Sequence, residues 1–188
     1  MRIISWNANY NAHKRTFLED AEFLFAEGAD VVVLSEVARP VTEELRHIAW
    51  IGRNNPGLGI IARNGYSLTP SDLNSGAPTL FGGFAIKGAV LMNLLAAWPV
   101  QYPAGSCYSK LLNTALDHFA GFLAGDRYAI VGDLNSSSLS PGRLSSAAGP
   151  QNRMSASPSI TCRRKVSGSR YKSTVYLQKT PAPPSRSN

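Results

Sequence analysis

Apolar residues in the first part of the chain follow two different periodicities. Short uninterrupted runs occur at residues 3–4, 31–34 and 128–131, and such runs are typical of strands buried on both faces of a sheet. Residues 16–27 and 109–123 instead place an apolar residue every three or four positions, which predicts two amphipathic helices. The pattern therefore predicts an α/β (α+β) fold in which mixed sheets are flanked by helices.

Weaker patterns predict the remaining elements. We expect strands at residues 2–6, 49–51, 58–63, 79–86 and 89–97, the last two forming a hairpin, and a short helix at 42–47. Gly28 stands where a C-cap glycine is common, so the first helix is predicted to end there. Lys14 and Arg15 are predicted to be solvated residues at the start of the first helix, and Trp50 is predicted to be a core residue.

Oxygen-bearing side chains follow three of the apolar runs. Asn7 ends Ser-Trp-Asn, Glu36 follows Val-Val-Val-Leu-Ser, and Asp133 and Asn135 lie in Gly-Asp-Leu-Asn. In sheets covered on both faces, functional groups collect beyond the carboxyl ends of the strands. Carboxylate and amide oxygens converging there form the hard environment that magnesium prefers. The two cysteines and three histidines show no zinc-binding spacing.

Each of these residues also has a purely local explanation. Asn7 is compatible with a helix cap or a turn, and Glu36 with a solvated loop charge. Asp133 and Asn135 are compatible with an Asx turn after Gly132.

Taken in order, the motifs resemble those of the endonuclease/exonuclease/phosphatase superfamily, the DNase-like metal-dependent hydrolases. The resemblance rests on Ser5-Trp6-Asn7, Leu34-Ser35-Glu36-Val37 and Gly132-Asp133-Leu134-Asn135-Ser136, and covers roughly residues 1 to 138. It implies a four-layer α/β sandwich of the DNase-like type that is incomplete in this chain. It also implies hydrolysis of a phosphoester substrate, and nuclease-like phosphodiesterase chemistry on a nucleic acid is one form of it.

The resemblance assigns a role to each candidate residue. Glu36 would be the principal ligand of a magnesium or manganese ion, and Asn7 would support that ion. Asp133 would orient and deprotonate the attacking water, and the Asn135 amide would donate to a phosphate oxygen. Asn93 is the predicted substrate-binding residue. Where the superfamily has Asn-x-His the chain has Asn93-Leu94-Leu95, so the histidine contact with phosphate is missing.

The last part of the chain departs from the superfamily. No acidic residue follows Asp133 and no histidine follows His118, so the late Ser-Asp-His segment is missing. All 12 acidic residues lie in residues 1–150, whereas residues 151–188 hold eight Lys and Arg and no acid. We expect a truncated domain at 1–145 and an irregular or disordered, basic, Ser- and Pro-rich tail at 146–188. A frameshifted or truncated coding sequence, a genuine basic tail and a divergent ordered half would each explain this composition.

Three function classes are compatible with these features. The first is the hydrolase, impaired by the missing Asp-His; the second is an inactive, vestigial domain; the third is a nucleic-acid-binding protein that uses its basic tail. The opening residues read as a strand, so no signal peptide is expected, and the apolar stretches are too short for a predicted bilayer span. With only two cysteines, a cytoplasmic protein without a membrane partner is expected.

Overall fold

Nine strands form two sheets in the computed structural model, which describes residues 1–40, 48–100, 108–125, 127–134 and 174–179. The first sheet has the order β1-β2-β4-β3 and consists of β1 (Ile3–Asn7), β2 (Val31–Val37), β3 (Ile48–Ile51) and β4 (Gly57–Ala62). The second sheet follows chain order and consists of β5 (Ser67–Pro70), β6 (Phe81–Lys87), β7 (Met92–Ala97), β8 (Arg127–Gly132) and β9 (Thr174–Lys179).

Two pairs of neighbouring strands are parallel, and each pair is connected through helices. α1 (Tyr10–His13) and α2 (Phe17–Ala26) lie between β1 and β2, and α3 (Tyr108–His118) and α4 (Ala120–Leu123) lie between β7 and β8. All other strand pairs are antiparallel, so both sheets are mixed as predicted.

Three apolar clusters define four layers. The central cluster packs the two sheets against each other through residues such as Val33, Ile60, Leu94 and Val131. A second cluster places α2 on the outer face of the first sheet, and a third places α3 and α4 on the outer face of the second sheet. The layer order is therefore helix, sheet, sheet, helix, and the predicted four-layer sandwich is confirmed.

The ends of α2 follow directly from the sequence. Thr16 caps its start: the Thr16 hydroxyl accepts from the Glu19 N–H, and the Glu19 carboxylate accepts from the Thr16 N–H. Gly28 follows its end at φ +82°, a conformation that costs glycine little. Both ends lie where the sequence predicts them.

The structure differs from the predicted elements in several places. The helix predicted at 109–123 is interrupted at Phe119, and β5 and α1 were not predicted. β9 pairs with β8 inside the stretch for which composition predicts an irregular tail. The helix predicted at 42–47 lies outside the described residues. Within the described part of the chain, no helix is long and apolar enough to span a membrane.

Candidate active site

One amide group joins three of the predicted site residues. Asn7 Nδ2 lies 2.8 Å from Glu36 Oε1 and 3.0 Å from Asp133 Oδ2, and it donates a hydrogen bond to each. Asn7 ends β1, Glu36 lies near the end of β2, and Asp133 directly follows β8 of the other sheet. The site therefore bridges the two sheets at the carboxyl ends of three strands.

The strand registers explain this convergence. β1 and β2 run parallel with Asn7 beside Ser35, so Glu36 emerges at the same edge as Asn7. β8 packs against both strands: Val131 shares the central cluster with Val33 of β2, and Ile3 of β1 packs against the same cluster. Asp133 is 5% exposed, whereas Asn7 and Glu36 are half-buried, so the site opens to solvent from one side.

Glu36 adopts a backbone conformation that is unusual for a side chain of its size. Its φ is +52°, and the pairing of β2 with β4 is irregular between Leu34 and Val37. A non-glycine residue in the left-handed region costs about 1–3 kcal/mol and is found most often at functional sites. The bulge turns the Glu36 carboxylate toward Asn7 at this cost in stability.

Gly132 gives Asp133 its position. It has φ +151°, and a Cβ at this position would overlap the carbonyl oxygen of Ala97 on the neighbouring strand. Only glycine allows β7 and β8 to approach this closely. The glycine of the Gly-Asp-Leu-Asn motif is thus required by packing.

The Asn7 side chain is oriented by the backbone two residues further on. Its Oδ1 accepts a hydrogen bond of 2.9 Å from the N–H of Asn9, which directs Nδ2 toward the two carboxylates. An amide nitrogen has no lone pair for a cation, so in this orientation Asn7 contacts the carboxylates as a donor.

The donor set is compatible with a hard divalent ion. Among the described residues, no group of three or more His, Cys, Asp or Glu side chains is arranged to hold a metal. Magnesium commonly binds through one or two carboxylates and completes its shell with water and phosphate oxygens. Glu36 provides one such carboxylate, and Asp133 shares its hydrogen-bond donor.

A buried hydroxyl lies beside this pair. Ser35 is fully buried, and its Oγ has no hydrogen-bond partner within the part of the chain that the structure describes. Ser35 lies opposite Asn7 in the register of β1 and β2. An unpaired buried hydroxyl costs about 1–3 kcal/mol, so stability does not account for this serine.

The other two predicted site residues are not part of this cluster. Asn93 lies near the start of β7, four residues and about 13 Å from Ala97, which faces Gly132. Its Nδ2 donates to the carbonyl oxygen of Phe122 at 2.6 Å, which connects β7 to α4. Asn135 lies outside the described residues.

Basic residues around the site were not predicted to take part in it. Lys14 Nζ lies 4.7 Å from the centre of the Tyr10 ring, and the Arg39 guanidinium lies 5.5 Å from the centre of the Trp50 ring. Trp50 is half-buried, so the prediction of a core position holds only in part. The sequence does contain a signal for these neighbours of the site: Tyr10 lies three residues after Asn7, and Arg39 lies three residues after Glu36.

Comparison with known proteins identifies the fold. Neither a protein-family profile nor a curated protein sequence matches the chain. The structure of D. rerio TDP2 complexed with single strand DNA product aligns with a TM-score of 0.58 at 16% identity, covering 97% of this chain and 85% of that chain. Humanized D. rerio TDP2 aligns at 0.52 and 15%, covering 78% and 66% of the two chains, so the match spans just under two thirds of that protein.

A third structure, a functionally unknown conserved protein from Enterococcus faecalis V583, aligns with a TM-score of 0.53 at 11% identity, covering 78% of this chain and 72% of that chain. At these identities the likeness concerns the fold. The chain shares the DNase-like fold of these structures.

Proposed function

We propose that this chain is a metal-dependent phosphoester hydrolase of the nuclease-like phosphodiesterase type. The observation that carries the proposal is the Asn7 amide, which holds Glu36 and Asp133 together at the carboxyl ends of strands from both sheets. These are the positions where α/β proteins place catalytic groups. The DNase-like fold supports the same assignment.

The proposed chemistry divides between an ion and the side chains. A magnesium or manganese ion, when bound at Glu36, would withdraw charge from the phosphate. Asn7 orients the Glu36 carboxylate and fixes the Asp133 carboxylate toward the site. Asp133 accepts the proton of the attacking water as its oxygen bonds to phosphorus. The ester P–O bond then breaks, and the leaving oxygen takes a proton from solvent.

Of the two other predicted site residues, the proposal includes one and omits the other. Asn135, two positions after Asp133, is proposed as a donor to a phosphate oxygen. Asn93 is left out, because its amide donates to Phe122 at the other end of β7. Residues 134–188 contain no Asp-His segment, and a hydrolase that works without one is expected to be slower by about two to four powers of ten.

The test is turnover of a small phosphodiester, bis(4-nitrophenyl) phosphate, by the full chain. We expect release of nitrophenol that requires magnesium or manganese, stops with a chelator and is lost in Asp133→Asn. Asp117→Asn is the matched control, because Asp117 is exposed on α3. Turnover that survives Asp133→Asn would contradict the proposed site.

The basic tail supports a second candidate, a nucleic-acid-binding protein without turnover. Residues 151–188 carry eight Lys and Arg and no acid. Binding to this segment would weaken with salt and would persist in Asp133→Asn. Salt-sensitive oligonucleotide binding with no metal-dependent hydrolysis would favour this candidate over the enzyme.

A further inference from the structure

The edge of the first sheet that carries the site is basic. Three connecting segments lie at this edge: residues 8–16 after β1, 38–40 after β2, and 52–56 between β3 and β4. The last belongs there because Gly57 of β4 pairs with Val37 of β2. These ranges contain Lys14, Arg15, Arg39 and Arg53 and no acidic residue. The rest of the connection from β2 to β3, residues 41–47, lies outside the described residues and adds Arg46, Glu43 and Glu44, which leaves the three connections with more basic than acidic residues.

The opposite edge of the same sheet has a different balance of charge. Its acidic residues include Glu27 and Asp30, and its arginines are engaged within the fold. Arg63 forms an ion pair with Glu22, and Arg2 donates to the carbonyl oxygen of Glu27. At the site edge Arg15 is engaged as well, through an ion pair of 3.6 Å with Asp20. Lys14, Arg39 and Arg53 are exposed and form no ion pair with a described residue, so the solvent-facing positive charge of the site edge rests on these three.

Two of the site-edge cations are held in place. The backbone N–H of Arg39 donates to Asn55 Oδ1 at 2.7 Å while its guanidinium lies over Trp50, and both Arg39 and Asn55 are exposed. The backbone N–H of Lys14 donates to the Tyr10 carbonyl oxygen at 2.8 Å while its ammonium lies over the Tyr10 ring. Each cation is thus fixed on a short connection that starts at a site residue.

These connections limit the distance from the cations to the site. Arg39 is three residues after Glu36, and three residues of chain reach at most about 11 Å between Cα atoms. Lys14 follows the single turn of α1, which begins three residues after Asn7. The two cations therefore lie on separate loops that leave the site from neighbouring strands.

We propose that this basic edge binds a single strand of nucleic acid, with the scissile phosphate at Asn7, Glu36 and Asp133; the inference rests on the function proposed above. Lys14 and Arg39 contact phosphates that flank the scissile one. These cations offset the repulsion between the site carboxylates and a polyanion. A small phosphoester without flanking phosphates would not reach both cations.

The aromatic rings favour a single strand over a duplex. The Arg39 guanidinium is exposed above the Trp50 ring, and unpaired bases stack on guanidinium planes and aromatic rings. Bases in a duplex are already stacked and paired, so they cannot reach it. Aromatic rings interleaved with basic residues are typical of single-strand binding surfaces.

The test compares two substrates in full-chain variants. Lys14→Ala, Arg39→Ala and the double variant are assayed on a short fluorescent single-stranded oligonucleotide and on bis(4-nitrophenyl) phosphate. We expect the double variant to lose about tenfold or more in kcat/KM on the oligonucleotide and to retain its rate on the small diester. The salt dependence of oligonucleotide binding should fall by about 0.7 in log–log slope for each cation removed.

The control is Lys110→Ala, which removes an exposed cation from α3 in the outer layer. The basic tail is present in every variant, so its contribution to binding cancels in the comparison. Equal losses on both substrates would overturn the proposal, and so would an unchanged rate on the oligonucleotide. A duplex of the same sequence that is cleaved as fast as the single strand would overturn it as well.

Failure of the proposed function gives a different result. If the wild-type chain hydrolyses neither substrate, the enzyme assignment fails, and oligonucleotide binding measured with a chelator still tests the basic edge. Identical salt slopes for the wild type and the double variant would then overturn the nucleic-acid surface.

Discussion

Asn7 and Asp133 are 126 positions apart in sequence, and the Asn7 amide nitrogen lies 3.0 Å from the Asp133 carboxylate. The same nitrogen also donates to Glu36, so one neutral side chain separates two carboxylates of different strands. Two carboxylates at one site repel each other, and the N–H donor that they share holds them side by side. Asn7 is therefore the residue on which the shape of the site depends.

Replacing Asn7 tests this dependence. In Asn7→Ala both carboxylates lose the donor, and we expect kcat for a phosphodiester to fall by about 10²–10³. Asn7→Asp places a third carboxylate there, so its loss of activity should be larger and its Tm lower. Asn113→Ala, at an exposed position of α3, is the control and should retain activity. Equal activity in Asn7→Ala and wild type would remove Asn7 from the site.

Much of the site could be predicted because strand ends are visible in the sequence. The apolar runs of β2 and β8 end two residues before Glu36 and Asp133, and parallel strands bring such ends to one edge. Asn93 shows the limit of this reasoning. A polar residue in an apolar run does not indicate at which end of the sheet it lies, and Asn93 is near the start of β7.

Other features depend on contacts that the pattern of residues does not show. β5 is a polar edge strand containing Pro70, so it has no apolar run to predict it. Gly82 weakens the predicted β6, yet the strand forms, and a Cβ at Gly82 would collide with Ile51 of the other sheet. The left-handed backbone of Glu36 likewise follows from the bulge in β2 and not from any local signal.

The left-handed backbone of Glu36 predicts that two substitutions with the same loss of metal binding differ in stability. Glu36→Gly and Glu36→Ala both remove the carboxylate, so both should abolish magnesium binding measured by calorimetry. Glycine adopts φ +52° without steric cost, whereas the Cβ of alanine makes this conformation unfavourable. We expect Glu36→Gly to be about 1–2 kcal/mol more stable than Glu36→Ala in urea unfolding. Equal stability of the two variants would show that the left-handed conformation is not strained.

Gly132→Ala should be far more damaging than an ordinary glycine substitution. The added methyl group would collide with the backbone of Ala97, which requires β7 and β8 to separate. We expect a loss of about 3 kcal/mol or more in the free energy of unfolding. Gly121→Ala is the control: a Cβ there has no neighbour within 4 Å, and in α4 it should add about 0.5–1 kcal/mol. Comparable effects at the two positions would contradict the packing argument.

Ser35→Ala should leave the fold intact or stabilise it. The Ser35 hydroxyl is buried without a partner among the described residues, so its removal relieves a desolvation cost of about 1–3 kcal/mol. Thermal unfolding of Ser35→Ala should therefore show an unchanged or higher Tm. A Tm lower by several degrees would mean that the hydroxyl has a partner in solution.

Asp30 predicts how stability depends on pH at the opposite edge of the first sheet. The N–H of Arg2 donates to its carboxylate at 2.7 Å and Asn64 Nδ2 donates at 3.2 Å, and these bonds lower the pKa of Asp30 below its usual 3.8. A lowered folded-state pKa contributes stability above the unfolded-state value, and that stability is lost as the pH falls through the folded-state value. Asp30→Asn should therefore lower Tm at pH 7, and the difference from wild type should shrink once the pH falls below about 4. Asp117→Asn, at an exposed helix position, is the control in the same pH series. A difference that stays constant down to acid pH would show that the charge of Asp30 does not stabilise this edge.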